Sequence, residues 1–224
     1  EVSNLAGGRV PRLPVLLEGG RVDDQLAERP GLAILRVDDA AALNALKTAF
    51  GGKRVLVLAP GATLADPAAQ ERVAALRGAE NGADVAVSAN FVPEFLTPDY
   101  AFFTNSKRLD KMGAFPCPAI LTSNLRPQVQ PGQCCVVGYD RVAGAFAQGG
   151  NSVVMLLRLL ALCGAKAVLL AGADGYAPGK PAYADASLHA HTGRGAAFHT
   201  AMAEAIRACG VPVTFVTPSE YERV

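Results

Sequence analysis

The chain has 224 residues, of which half are hydrophobic and 18% charged, with a formal net charge of +1. This is a globular composition, far from disorder, and long enough to bury a sizeable core as one large domain or two small ones. A balanced charge without blocks of one sign argues against nucleic acid or an anionic membrane surface as the main partner, although a locally positive cleft remains compatible with it.

Taken in chain order, the first fifty residues are punctuated by Gly7-Gly8, Gly19-Gly20 and Gly51-Gly52. They offer a strand at 15–18, a helix at 24–28, a strand at 32–37 and a helix at 40–50. Gly51-Gly52 reads as a boundary, so 1–52 is expected to be an N-terminal extension or linker and 53–224 the main domain. A strand at 54–59, continuously apolar from Val55 to Leu58, then leads through a small-residue turn into a helix at 67–76. Strands follow at 84–88, 100–104, 119–122 and 134–137. A helix at 152–163 has Asn151 as its N-cap and Gly164 as its stop. A second continuously apolar strand covers 167–171, and a last helix at 196–208 ends at Gly210 before Pro212 opens a strand at 213–216. Strands alternating with helices predict an α/β fold: a doubly wound, mostly parallel sheet with helices on both faces, Rossmann-like.

The longest apolar stretch, from Val153 to Gly172, is broken by Arg158 and by Gly164-Ala165-Lys166, so it reads as a helix and a strand, not a membrane span. Five cysteines (Cys117, Cys134, Cys135, Cys163 and Cys209) form no C-x-x-C pair and are odd in number. That argues against a disulfide framework or a zinc site and predicts free buried thiols in a reducing, cytoplasmic setting. No signal peptide is visible. The chain opens on Glu1 and not on Met, as an excised piece of a longer polypeptide or a processed form would.

In an open parallel sheet ligands bind beyond the carboxyl ends of the strands, so the residues just after each strand are the ones to question. After the strand at 54–59 comes Pro60-Gly61-Ala62-Thr63-Leu64, where small residues let backbone amides approach a phosphate or ribose. It is neither a P-loop nor a G-x-G-x-x-G fingerprint, and a tight turn alone explains it equally well. Asn90 and Asn105 follow the next strands; their amides suit base edges and sugar hydroxyls, and equally suit turns. Lys107 and Arg108 would meet a phosphate or carboxylate, or form a solvated pair. The strand at 167–171 ends in Gly172-Ala173-Asp174-Gly175-Tyr176, which offers a carboxylate for ribose hydroxyls or magnesium, or a turn cap. His189 and His191 lie in a Gly-, Ala- and Ser-rich loop, where proton-transfer residues and lids concentrate, whereas His199 falls within the last helix as a packing or surface residue.

The succession "VLVLAPGATL", "VAVSANF", "PDYAFFTNSKR", "NSVVMLLRLLALCGAKAVLLAGADGY" and a late histidine loop resembles the bacterial CMP-sialic acid sialyltransferases. It is similar also to the archaeal 6-hydroxymethylpterin diphosphokinases and, through "FFTNSKR", "LTSNL" and "AGADGY", to an uncharacterised domain fused behind aldolases of the hydroxymethylglutaryl-CoA lyase type. The resemblance covers roughly Lys53 to Tyr221. It implies a nucleotide turn at Gly61 and Thr63, nucleotide and donor-sugar contacts at Asn90, Asn105 and Ser152, and base and ribose contacts at Gly172 and Asp174. Tyr176 matches a tyrosine that stabilises the leaving phosphate, Tyr183 its companion, and His191 the general base, with His189 as rival. Two positions depart from the sialyltransferase pattern: Pro60 replaces an asparagine, and Gly149-Gly150 an arginine near the donor.

Three readings follow. The first is a transferase using a CMP-activated sugar and a small-molecule or glycan acceptor, with no required cofactor and magnesium as an optional aid. The second is magnesium-dependent diphosphate transfer from ATP to a hydroxymethyl group, with Asp174 on the metal. The third is a non-catalytic ligand-binding or docking domain of an aldolase fusion.

Overall fold

The computed structural model of the chain describes residues 2–3, 9–10, 33–36, 40–112, 116–125, 133–144, 150–176, 183–185, 188 and 196–222. The strand expected at 15–18, the helix expected at 24–28, and His189, His191 and Gly149 lie outside the described residues.

At the start, β1 (Val2–Ser3) pairs antiparallel with β2 (Arg9–Val10). Then come β3 (Ala33–Arg36), α1 (Ala40–Phe50), β4 (Arg54–Leu58), a 3₁₀ turn (Ala62–Ala65), α2 (Pro67–Ala75), β5 (Val85–Ala89) and β6 (Tyr100–Phe103). They are followed by α3 (Ser106–Leu109), β7 (Ala119–Thr122), β8 (Gln133–Val137), α4 (Tyr139–Ala143), α5 (Ser152–Leu162), β9 (Ala167–Ala171), α6 (Ala196–Arg207) and β10 (Val213–Phe215). The eight strands β3 to β10 form one sheet in the order β10-β9-β4-β5-β6-β7-β8-β3, and every neighbouring pair is parallel. The expected α/β fold is what the structure shows.

Alternation along the strands decides which helix covers which face. Val55 and Val57 of β4, Val85 and Val87 of β5, Phe102, Ile120, Val168 and Leu170 point to one face, where they bury against Leu46 and Phe50 of α1, the apolar side of α5, and Met202 and Ile206 of α6. Leu56 and Leu58, Ala86, Leu169 and Ala171 point to the other, under Leu64 and Val73 of the 3₁₀ turn and α2. Ala101, Phe103, Ala119 and Leu121 continue that second face and pack with Leu109 of α3. Burying the central strands on both sides is why they read as unbroken apolar runs.

The helix ends have local causes. Asn151 Oδ1 accepts from the amides of Val153 (2.9 Å) and Val154 (3.4 Å) at the start of α5. At its other end Gly164 adopts φ +74° and donates to the Ala161 carbonyl (3.0 Å), while Ala165 donates to the Leu160 carbonyl (3.0 Å). Asp66 caps α2 through the Ala68 amide (3.1 Å), with Pro67 in the first helical position.

One boundary shifts. Leu46 and Phe50 of α1 are buried in the main core, and β3 pairs with β8, so the packed unit reaches upstream of Gly51-Gly52. The glycine pair is the exit from α1 and not a linker: Gly51 donates to the Lys47 carbonyl (2.6 Å), and Gly52, at φ +68°, donates to the Gly164 carbonyl (2.8 Å).

Candidate functional site

From β4 the sheet grows through β5, β6, β7 and β8 in one direction, and β9 and β10 are later added on the other side of β4. The winding therefore reverses between β4 and β9, and a crevice opens where the loops leaving these two strands diverge. A cleft of about 690 Å³ lies there, bordered by the residues that follow β4, β5, β6, β7 and β9 and by the start of α5.

The reversal itself is held by a compact set of contacts. Ala59 donates to the Ala171 carbonyl (2.8 Å) and Gly61 to the Gly172 carbonyl (2.7 Å), which carries the β4–β9 pairing past the strand ends. No side chain fits at either glycine. A Cβ on Gly61 would collide with the Gly172 carbonyl and with the Asp174 carboxyl, and one on Gly172, at φ +69°, with the Ala59 carbonyl. Asp174 completes the closure: its Oδ2 accepts from the Thr63 amide and its Oδ1 from the Thr63 hydroxyl, both at 2.6 Å. Burial pushes the Asp174 carboxyl above its ordinary value, and the two bonds from Thr63 only partly offset that. Thr217 Oγ1 accepts from the Gly172 amide (2.8 Å) behind this loop.

Successive strand ends supply a polar rail. Asn90 sits at φ +59°, the left-handed turn position, and still borders the cleft. Its Oδ1 accepts from the Thr104 amide (2.8 Å) and its Nδ2 donates to Thr104 Oγ1 (3.2 Å), tying the end of β5 to that of β6. Asn105 caps α3 through the Arg108 amide (3.3 Å). Asn124, after β7, donates to the Thr104 carbonyl (3.2 Å) and accepts from Thr122 Oγ1 (2.6 Å). At both Asn90 and Asn105 the turn reading and the lining reading hold together.

The opposite wall is aromatic. The Tyr176 and Tyr183 hydroxyls are 3.1 Å apart, and Tyr183 pairs with Gly61 as an antiparallel bridge. His199 Nε2 accepts from the Tyr176 amide (3.3 Å), and its ring meets those of Phe198 and Tyr221 edge-on, so it packs behind the wall.

Of the site residues expected from the sequence, Gly61, Asn90, Asn105, Ser152, Gly172, Asp174, Tyr176 and Tyr183 all border this one cleft. Thr63 does not border it but fastens Asp174. His189 and His191 lie outside the described residues. Asn124 and Lys111 also border the cleft without having been expected there, as does Asn151, which the sequence marked only as a helix cap; Lys107 and Arg108, left open between ligand contact and solvated pair, border it too. Asn124 was within reach of the rule that selected Asn90 and Asn105, since it too stands just past a strand. No helix of the described residues is long and apolar enough to cross a membrane. In comparisons with protein-family models, curated proteins and solved structures the chain gives no significant match, so any kinship rests on the short motifs quoted above.

Proposed function

We propose that the chain is a nucleotide-binding transferase that moves a glycosyl group from a CMP-activated sugar to a hydroxyl of a small-molecule or glycan acceptor. The observation that carries this reading is convergence: residues chosen from five separated segments meet at a single cleft on the winding reversal of a parallel sheet. A polar rail with amide donors and acceptors suits a base and sugar hydroxyls.

In this reading His191 or His189 takes the proton of the acceptor hydroxyl. The acceptor oxygen bonds to the anomeric carbon as the bond from that carbon to the phosphate oxygen breaks, and CMP departs with its charge met by Tyr176 and Tyr183. No cofactor is required, and magnesium would only assist the leaving phosphate. Diphosphate transfer from ATP has less support. It needs metal-bound carboxylates, whereas Asp174 is the sole carboxylate among the described lining residues and both its oxygens accept from Thr63.

A thermal-shift panel of CMP, CDP, UDP, ATP and a CMP-sugar, with and without magnesium, tests the reading. A ligand at 100 times its Kd stabilises by about 2.7 kcal/mol, roughly 5–11 °C for a chain of this size. CMP and the CMP-sugar are expected to produce that shift. A magnesium-dependent shift with ATP alone would move the assignment to diphosphate transfer, and silence from every nucleotide would leave the docking role. For the base, His191→Ala or His189→Ala should lower turnover by about 10²–10⁴; full turnover in both variants refutes the assignment.

A further inference from the structure

Arg108 has no part in the reading above, yet its surroundings are those of a ligand contact. It borders the cleft from the β6 side, and its guanidinium lies 4.9 Å from the centre of the Tyr183 ring. Tyr183 is itself fixed to the β4 loop: it pairs with Gly61, and the Ala184 amide donates to the Pro60 carbonyl (2.9 Å). Arg108 therefore leans across the cleft onto an element fastened to the opposite wall. Its Nη1 is buried and has no hydrogen-bond partner among the described residues. A guanidinium N–H removed from water without an acceptor is unfavourable, and stacking on a tyrosine offsets only part of that. Lys107 and Lys111 border the same side of the cleft. The described lining offers one carboxylate there, and it is already engaged by Thr63.

We propose that Arg108 is an oxyanion seat: its Nη1 edge receives an oxygen of the bound ligand's phosphate or of a sugar carboxylate, while Tyr183 holds the guanidinium plane. The planar fork matches the paired oxygens of either group, and a charge-assisted bond there completes a donor that the described residues leave unmet. The identity of the ligand rests on the nucleotide reading; the seat itself does not.

Isothermal titration of the full chain and of Arg108→Gln with CMP, cytidine, N-acetylneuraminate and inorganic pyrophosphate separates the cases, with a thermal melt as the folding control. If the phosphate is seated, CMP binds the native chain more tightly than cytidine, and Arg108→Gln weakens CMP by about 10- to 100-fold while leaving cytidine unchanged. If the carboxylate is seated, the variant loses N-acetylneuraminate and keeps CMP. If no nucleoside or nucleotide binds but pyrophosphate does, and the variant loses it, the seat stands and the nucleotide reading falls. Equal affinities of native chain and variant for every probe, or no binding of any anion to the native chain, overturns the seat. Should Arg108→Gln melt below the assay temperature, Arg108→Lys makes the same comparison, because it keeps the charge and the stem but not the fork.

Discussion

Thr63→Val removes one hydroxyl from the loop closure and leaves its shape nearly unchanged. The Thr63 hydroxyl donates to Asp174 Oδ1 at 2.6 Å, while the backbone amide holds Oδ2 and is untouched by the change. A hydrogen bond to a charged group contributes about 1.5–3 kcal/mol. The lower end applies here because Asp174 remains partly open to the cleft, so we expect a loss of about 1.5 kcal/mol at pH 7, or roughly 3–6 °C in Tm. The pH dependence follows from the sign of the carboxyl shift. Burial raises the folded-state value, so the associated stability is present below the unfolded-state value and is lost as pH rises through the folded-state value. Thr63→Val removes an influence that opposes burial, raises the folded-state value further and deepens that loss. The destabilisation should therefore be larger at pH 7 than near pH 4, where the protonated carboxyl accepts only a weaker neutral bond. Urea unfolding of Thr63→Val, Asp174→Asn and the double variant at both pH values measures the coupling. A Thr63→Val penalty that is independent of pH, or unchanged in the Asp174→Asn background, would refute the reasoning.

Gly172→Ala should be more damaging, because it combines a left-handed φ of +69° with a collision against the Ala59 carbonyl; a loss above about 2 kcal/mol is expected in the same urea assay, and unchanged stability would contradict the packing described. The buried thiols should be inert. Burial pushes Cys117 and Cys163 up to about 11 and raises Cys209 as well, so at pH 8 about one Cys117 or Cys163 thiol in a thousand is ionised. Peptide mapping after iodoacetamide should find these positions unmodified in the native chain and alkylated in urea.

Much of the sheet was legible because its central strands are apolar on both faces and are separated by glycine, proline and cap residues. The spans 119–122 and 167–171 coincide with β7 and β9, and 40–50 with α1. What escaped is what lacks a period. Helices α3 and α4 have four and five residues, too few to display an amphipathic stripe. Gly51-Gly52 resembled a linker because a left-handed helix exit and a hinge use the same residue. The site divides in the same way. Residues just past a parallel strand are placed by topology, so Gly61, Asn90 and Gly172 were found from sequence order alone. The setting of Arg108 depends on a tyrosine from the far wall, and nothing local distinguishes a guanidinium stacked there from one in water.

The floor of the cleft has a different standing from its walls. Asn151, Ser152 and Val153 border the cleft, and they open the helix that also buries Val154, Met155, Leu156, Leu157, Leu159 and Leu160 in the main core. Fraying at the floor meets the packed body of that helix within one turn, so the amides of α5 beyond its first turn should exchange with solvent only when the whole domain unfolds. The loops after β4 and β9 carry a burden of their own, since Gly61 and Gly172 admit no side chain and Asp174 is fastened to Thr63. Changes in what the cleft accepts are therefore expected first in the loops after β5, β6 and β7, because a change in the floor would lower folding yield before it altered selectivity.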